Sequence, residues 1–133
     1  LIDFLEVSVD NENTFILKRG DTYPAIEVLL EEFDTTTKAF KPVDLTNATV
    51  LFRYVNNGMM MVAAATIKFP ADQADLTKRG IVSYLWASDG SDTDTVARNT
   101  CEWNVTFPGG RVATFPRGQT PDFNEIWVQD VLS

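Results

Sequence analysis

The side chains that usually carry chemistry near neutral pH are scarce in this sequence. Its 133 residues include no histidine and one cysteine, Cys101. Without imidazole, the usual proton shuttle and the commonest metal ligand are missing. Cys/His zinc sites and Ser-His-Asp or Cys-His nucleophile systems are removed with it. Cys101 stands in an apolar alternation beside Trp103, a setting that predicts a buried, unreactive thiol. Carboxylate pairs remain as acid/base groups, but they are scattered over the chain and no two are brought together by spacing. No catalytic residue and no cofactor is expected, and the chain reads as non-enzymatic.

Oxygen ligands are grouped more closely. Asp89-Gly90-Ser91-Asp92-Thr93-Asp94 places Asp89, Asp92 and Asp94 as weak candidates for a calcium ion, which favours hard oxygens. The glycine comes too early for an EF-hand and the closing glutamate is missing, so a solvated acidic turn is the expectation and no metal is assigned. Glu31, Glu32 and Asp34 likewise read as a charged strand end. Asn47-Ala48-Thr49 and Asn104-Val105-Thr106 fit the N-glycan rule, which matters only in a secretory pathway; no glycan is expected. Arg19-Gly20-Asp21 has the composition of an adhesive loop. Glycine supplies positive φ and aspartate caps its own backbone, so the tripeptide reads as a turn between strands.

The elements that would position these residues have a period of two. From Arg98 to Phe107, Cys101, Trp103, Val105 and Phe107 fall on one face, with Thr100, Glu102, Asn104 and Thr106 on the other. That alternation marks a strand with one wet side. Pro108-Gly109-Gly110 then turns it into Arg111–Phe115, and Pro116 ends the hairpin. Further strands are expected over 4–9, 14–18, 26–30, 48–55, 59–69, 81–86 and 123–131. Pro24 points to an edge position for the strand at 26–30. Residues 33–47 and 88–95 read as loops, and 70–78 as one or two helical turns. Short strands separated by Gly, Pro, Asn and Asp leave no room for βαβ units. They predict a single all-β domain over 1–133 with about eight short, mainly antiparallel strands, as a β-sandwich in preference to a small barrel.

Met59-Met60-Met61, followed by Val62 and Ala63–Ala65, is unusually apolar for an outer strand. Two readings stand for it: core alone, or an interface with another chain for which Met59, Met60 and Met61 are the candidates. Tyr23, Tyr84, Trp86, Trp103, Phe107, Phe115 and Trp127 have the types of a sugar platform, but their strand spacing predicts core. Eleven basic against nineteen acidic residues give a net charge of -8 with no basic cluster. Nucleic acid and anionic membrane are therefore disfavoured as partners. No apolar run reaches the roughly 18 residues of a spanning helix, and the N-terminus has no signal-peptide pattern.

Several of these residues also carry a family resemblance. Phe15…Arg19-Gly20-Asp21-Thr22 and Val43-Asp44-Leu45-Thr46-Asn47-Ala48-Thr49-Val50-Leu51-Phe52-Arg53 come first. Gly80-Ile81-Val82-Ser83-Tyr84, Glu102–Phe107 and Gly110–Pro116 follow in order. Over residues 14 to 130 the chain resembles the immunoglobulin-like N-terminal domain of the phage baseplate upper protein family. The resemblance implies an immunoglobulin-like sandwich and a structural role in a tailed-phage virion, in the tail or baseplate. Its partners would be neighbouring virion proteins, and it would be present in repeated copies. Gly20, Asp21, Asp44, Trp103, Phe107 and Phe115 would be fold-specifying, and no active site is implied. The sequence departs from the family in ending near residue 133, without the long C-terminal region, and in having Asn99-Thr100-Cys101 where glycine and tyrosine are usual. A neck or head accessory subunit is therefore an alternative, and a carbohydrate-binding or host-adhesion module a further one.

Overall fold

The structure is a computed structural model that describes residues 8–9, 14–56, 58–115 and 124–131. Within these lie twelve strands and one short 3-10 helix. The strands are β1 (Ser8–Val9), β2 (Thr14–Lys18), β3 (Ile26–Leu29), β4 (Glu31–Asp34), β5 (Ala39–Pro42) and β6 (Thr49–Asn56). β7 (Met59–Ala64), β8 (Thr66–Ile67), β9 (Ile81–Tyr84), β10 (Ala97–Thr106), β11 (Val112–Phe115) and β12 (Asn124–Gln129) follow. The fold is all-β and mostly antiparallel, as the period-two pattern predicts.

β10 is the spine. Its buried positions Cys101, Trp103 and Val105 alternate with half-buried Glu102, Asn104 and Thr106. One edge of β10 pairs with β6 from Cys101↔Tyr54 to Thr106↔Thr49. The other edge is shared: β12 takes Ala97–Cys101 and β11 takes Trp103–Thr106. β2 runs parallel to β12, with Phe15 opposite Ile126, and every other pairing is antiparallel. The large sheet therefore reads β1-β2-β12-β10-β6-β7, with β11 beside β10. A smaller sheet has the order β3-β9-β8, so β3 occupies the edge that Pro24 foretells.

The two sheets share one core. The large sheet contributes Phe15, Leu17, Val50, Phe52, Tyr54, Trp103, Val105, Phe115, Ile126 and Val128. The small sheet contributes Ile26, Val28, Val82 and Tyr84. Phe52 sits at the contact, with its ring centroid 4.9 Å from Tyr84 and 4.5 Å from Trp103. Aromatic pairs at this spacing add to the area they bury.

The structure corrects the expected elements in several places. Residues 33–47 are not one loop, because β4 and β5 form a hairpin with Phe33 opposite Phe40. Asp34 builds its turn by accepting the amides of Thr36 and Thr37, an arrangement aspartate makes readily. The expected strand over 59–69 is two strands in two sheets: β7 pairs β6, Ala65 crosses over, and β8 pairs β9. No helix forms over 70–78. Turns close there instead, with Asp72 N donating to Phe69 O and Asp75 N donating to Asp72 O. Buried Gln73 anchors the segment, its Oε1 accepting the amides of Leu45 at 3.0 Å and Gly80 at 3.2 Å. The expected strand ends at Phe4 and Phe123, and Pro116, lie outside the described residues.

Candidate functional site

The exposed edge of the large sheet is the feature that a partner could use most directly. β6 carries its core residues Val50, Phe52 and Tyr54 on alternate positions, which turns Leu51 and Arg53 outward. After Gly58, β7 returns along β6 with Met59 opposite Asn56 and Ala64 opposite Leu51. Odd-numbered Met59, Met61 and Ala63 thus share the face of Tyr54 and Phe52, and Ala63 packs against the core. Met60, Val62 and Ala64 share the outer face with Leu51.

Little of this strand is buried. Met59, Met60 and Val62 are 66%, 57% and 51% exposed, and even Met61 on the core side is 36% exposed. Leu51 adds a further exposed apolar side chain beside them. Among the described residues nothing pairs with the outer edge of β7. Natural edge strands are usually blunted by charge, proline or a bulge. β7 has none of these: its pairing register with β6 is unbroken, and no charged residue occurs between Tyr54 and Ile67. Met59, Met60 and Met61 are therefore surface side chains rather than part of the core.

The Arg19-Gly20-Asp21 turn has a different fate. Gly20 adopts φ 86°, and Asp21 Oδ2 accepts the Lys18 amide at 2.9 Å, so the carboxylate is spent within its own turn. The turn is pinned on both sides. Arg19 N donates to Gln129 O at 2.7 Å, and Gly20 N donates to Thr93 O at 2.9 Å. Buried Thr93 returns a bond from its hydroxyl to Asp21 O at 2.8 Å. Gly90 lies so close that a Cβ there would stand 3.0 Å from Gly20 O.

Asp89, Asp92 and Asp94 do not converge. The 3-10 helix Ser91–Thr93 turns the Asp92 side chain inward, where it accepts hydrogen bonds from the phenols of Tyr54 and Tyr84 and from the Ala87 amide. Asp89 caps Ser91 N at 2.9 Å, and the Ser91 hydroxyl and amide hold its carboxyl below the usual range. Asp94 accepts from the neighbouring Thr95 hydroxyl. Among the described residues no group of three or more acidic, histidine or cysteine side chains is gathered to hold a metal ion. Burial pushes the Tyr84 phenol up to about 12, and burial together with Asp92 also pushes Tyr54 upward.

The remaining candidates resolve as framework. Trp103 and Phe115 are fully buried, while Phe107 is half-buried just beyond β10, with its amide bonded to Arg111 O. Asp44 holds the turn into β6 by accepting the Thr46 hydroxyl and amide, which keep its carboxyl below the usual range. Cys101 is buried, and burial raises its thiol. Asn104 is occupied across strands by Arg53 and Thr114. The aromatic residues do not form a platform. Tyr84 and Trp86 are in the core, Arg98 covers Trp127 at 4.4 Å from its ring, and Tyr23 is exposed. Outside β7, Phe33 and Val112 are exposed beside an open groove that also includes Glu32, Phe107 and Arg111.

Sequence reasoning picked out the apolar character of 59–65 but missed Leu51. Its outward position follows from the alternation of Val50, Phe52 and Tyr54. The Tyr54–Asp92–Tyr84 cluster gave no local signal, since Tyr54 and Asp92 are 38 residues apart. No family model matches the chain, and no curated protein matches it.

Proposed function

We propose that this chain is a non-enzymatic structural subunit of a tailed-phage virion, a tail or baseplate component. In this reading it is an immunoglobulin-like β-sandwich that docks to neighbouring virion proteins through its sheet edge. The observation that carries the proposal is β7: a regular, uncharged, exposed apolar strand at the end of a well-packed sheet. A monomer gains nothing from leaving such an edge open, whereas an assembly subunit uses it for main-chain pairing.

The ordered resemblance over residues 14 to 130 supports the virion assignment, and the two sheets around one core support the sandwich. Fold-specifying roles for Gly20, Asp21, Asp44, Trp103 and Phe115 fit their places in turns and core. A neck or head accessory site would use the same edge. Mass spectrometry of purified particles tests the proposal. The chain is expected in stoichiometric multiple copies, and its absence from the particles would overturn the reading.

A further inference from the structure

We infer that the outer edge of β7 pairs with the same edge of a second copy of this chain, antiparallel, about a two-fold axis through Val62. The inference rests on the reading of β7 as a docking edge and names its partner.

The sequence of the edge is complementary to itself. Met59-Met60-Met61-Val62-Ala63-Ala64-Ala65 places three large flexible side chains on one side of Val62 and three small ones on the other. In an antiparallel pair centred on Val62, Met60 faces the second copy's Ala64 and Met61 faces the second copy's Ala63. Met59 reaches the second copy's Ala65, and Val62 meets its own equivalent. Each methionine gains the space that an alanine leaves, and methionine adapts well to such gaps. Moving the axis to Met61 would set that methionine against itself and Met60 against Val62. Bulk would then meet bulk at the centre.

The backbone phase agrees. Ala65 N donates to Val50 O at 2.9 Å. In the unbroken register of β6 and β7, this turns odd-numbered backbone groups toward β6. The even-numbered groups of Met60, Val62 and Ala64 then point to the open edge. These are the groups that the Val62-centred register requires. Val62 exchanges both bonds with its equivalent, and Met60 exchanges both with the second copy's Ala64. A two-fold axis normal to the sheet also keeps the core faces of both copies on one side, so the two sheets become one continuous sheet with no open edge at the junction.

Charge does not oppose this occupant at the strip itself. Each copy carries a net charge of -8, and the stretch from Tyr54 to Ile67 has no charged residue. Two copies approach with least repulsion along this strip. The contact is isologous and closes on itself.

Sedimentation equilibrium of the chain, with Val62→Lys, Val62→Glu and an equimolar mixture of the two, tests the pairing. Val62 is half exposed on the outer face, so both variants keep the fold, which near-ultraviolet circular dichroism checks. The unsubstituted chain is expected to dimerise. Each variant sets like charges opposite one another and weakens the dimer by about tenfold or more, and the mixture restores it. Hydrogen exchange at Met60, Val62 and Ala64 slows on dimerisation. A chain monomeric up to millimolar concentration overturns the inference and assigns the edge to a different protein. Variants that dimerise unchanged, or a mixture that fails to restore the dimer, overturn it too. A monomeric chain found in purified particles sinks this inference alone, whereas a dimeric chain absent from particles sinks only the virion reading.

Discussion

The phenol of Tyr84 donates to Asp92 Oδ2 at 2.8 Å, tying the small sheet to the acidic loop that follows it. Tyr54 of the large sheet donates to the other oxygen of the same carboxylate. One side chain from a solvated-looking run thus joins both sheets at the end of the core, and the Ala87 amide completes its set at 2.6 Å.

Asp92→Ala leaves two phenols and an amide without their acceptor. Hydrogen bonds to a charged group each count for more than neutral ones, and the sum here is a loss of roughly 2–4 kcal/mol. Asp92→Asn keeps one acceptor oxygen and costs less. Urea unfolding of both variants checks the order. Added calcium leaves the melting temperature of the unsubstituted protein unchanged, because the Asp92 carboxylate already has its partners.

The 98–107 strand was legible because one wet face and one dry face leave a period-two record. The core role of Trp103 and Phe115 followed from the same record. The β4–β5 hairpin left no such record: its strands are four residues each and lie mostly exposed, so no apolar alternation marks them. The inward roles of Gln73 and Asp92 leave no local record in the sequence, for a common reason. A buried polar residue is specified by its partners, and Leu45 and Tyr54 are 28 and 38 residues away. The apolar composition of 59–65 is legible in the sequence, but only the strand order shows that it forms the open edge.

Gln73→Ala orphans the Leu45 and Gly80 amides inside the protein and is expected to cost roughly 2–4 kcal/mol. Gly80→Ala is also severe. Gly80 has φ 81°, and a Cβ would stand 2.8 Å from Leu30 O and 3.1 Å from Val43 N, both backbone atoms that cannot swing aside. The left-handed conformation and the clash together predict a loss of about 3 kcal/mol or more. Thermal and chemical unfolding measure both.

The turn at Arg19-Gly20-Asp21 predicts a contrast. Arg19 reaches Asp130 at 3.1 Å in an exposed ion pair, so Arg19→Ala changes stability by less than about 1 kcal/mol. Thr93→Val removes a buried hydroxyl from Asp21 O without changing shape and costs about 1–2 kcal/mol. Immobilised protein is expected not to support cell spreading, since the turn is bonded to Gln129 and Thr93 rather than projecting.

Tyrosine titration gives a pH signature. Burial raises the Tyr84 phenol from 10.0 to about 12 in the folded state. A raised folded-state value means that the unfolded chain loses the proton first as pH climbs. The stabilisation is complete below pH 10.0, declines as pH rises from there and is lost through about 12. Tyr54 shifts in the same direction and adds to the decline. At the acid end, Asp44 is held below its ordinary 3.8 by Thr46, so its contribution is present above that value and disappears as pH falls through the lower folded one. Denaturant midpoints across the pH range, with tyrosinate absorbance at the alkaline end, check both limbs.

Cryo-electron microscopy of purified phage particles measures the proposed role directly. The account predicts density for this fold at repeated positions in the tail or baseplate, with the Met59–Ala64 edge covered by a neighbouring strand. Particles that lack the chain, or that hold it with this edge open to solvent, would contradict it.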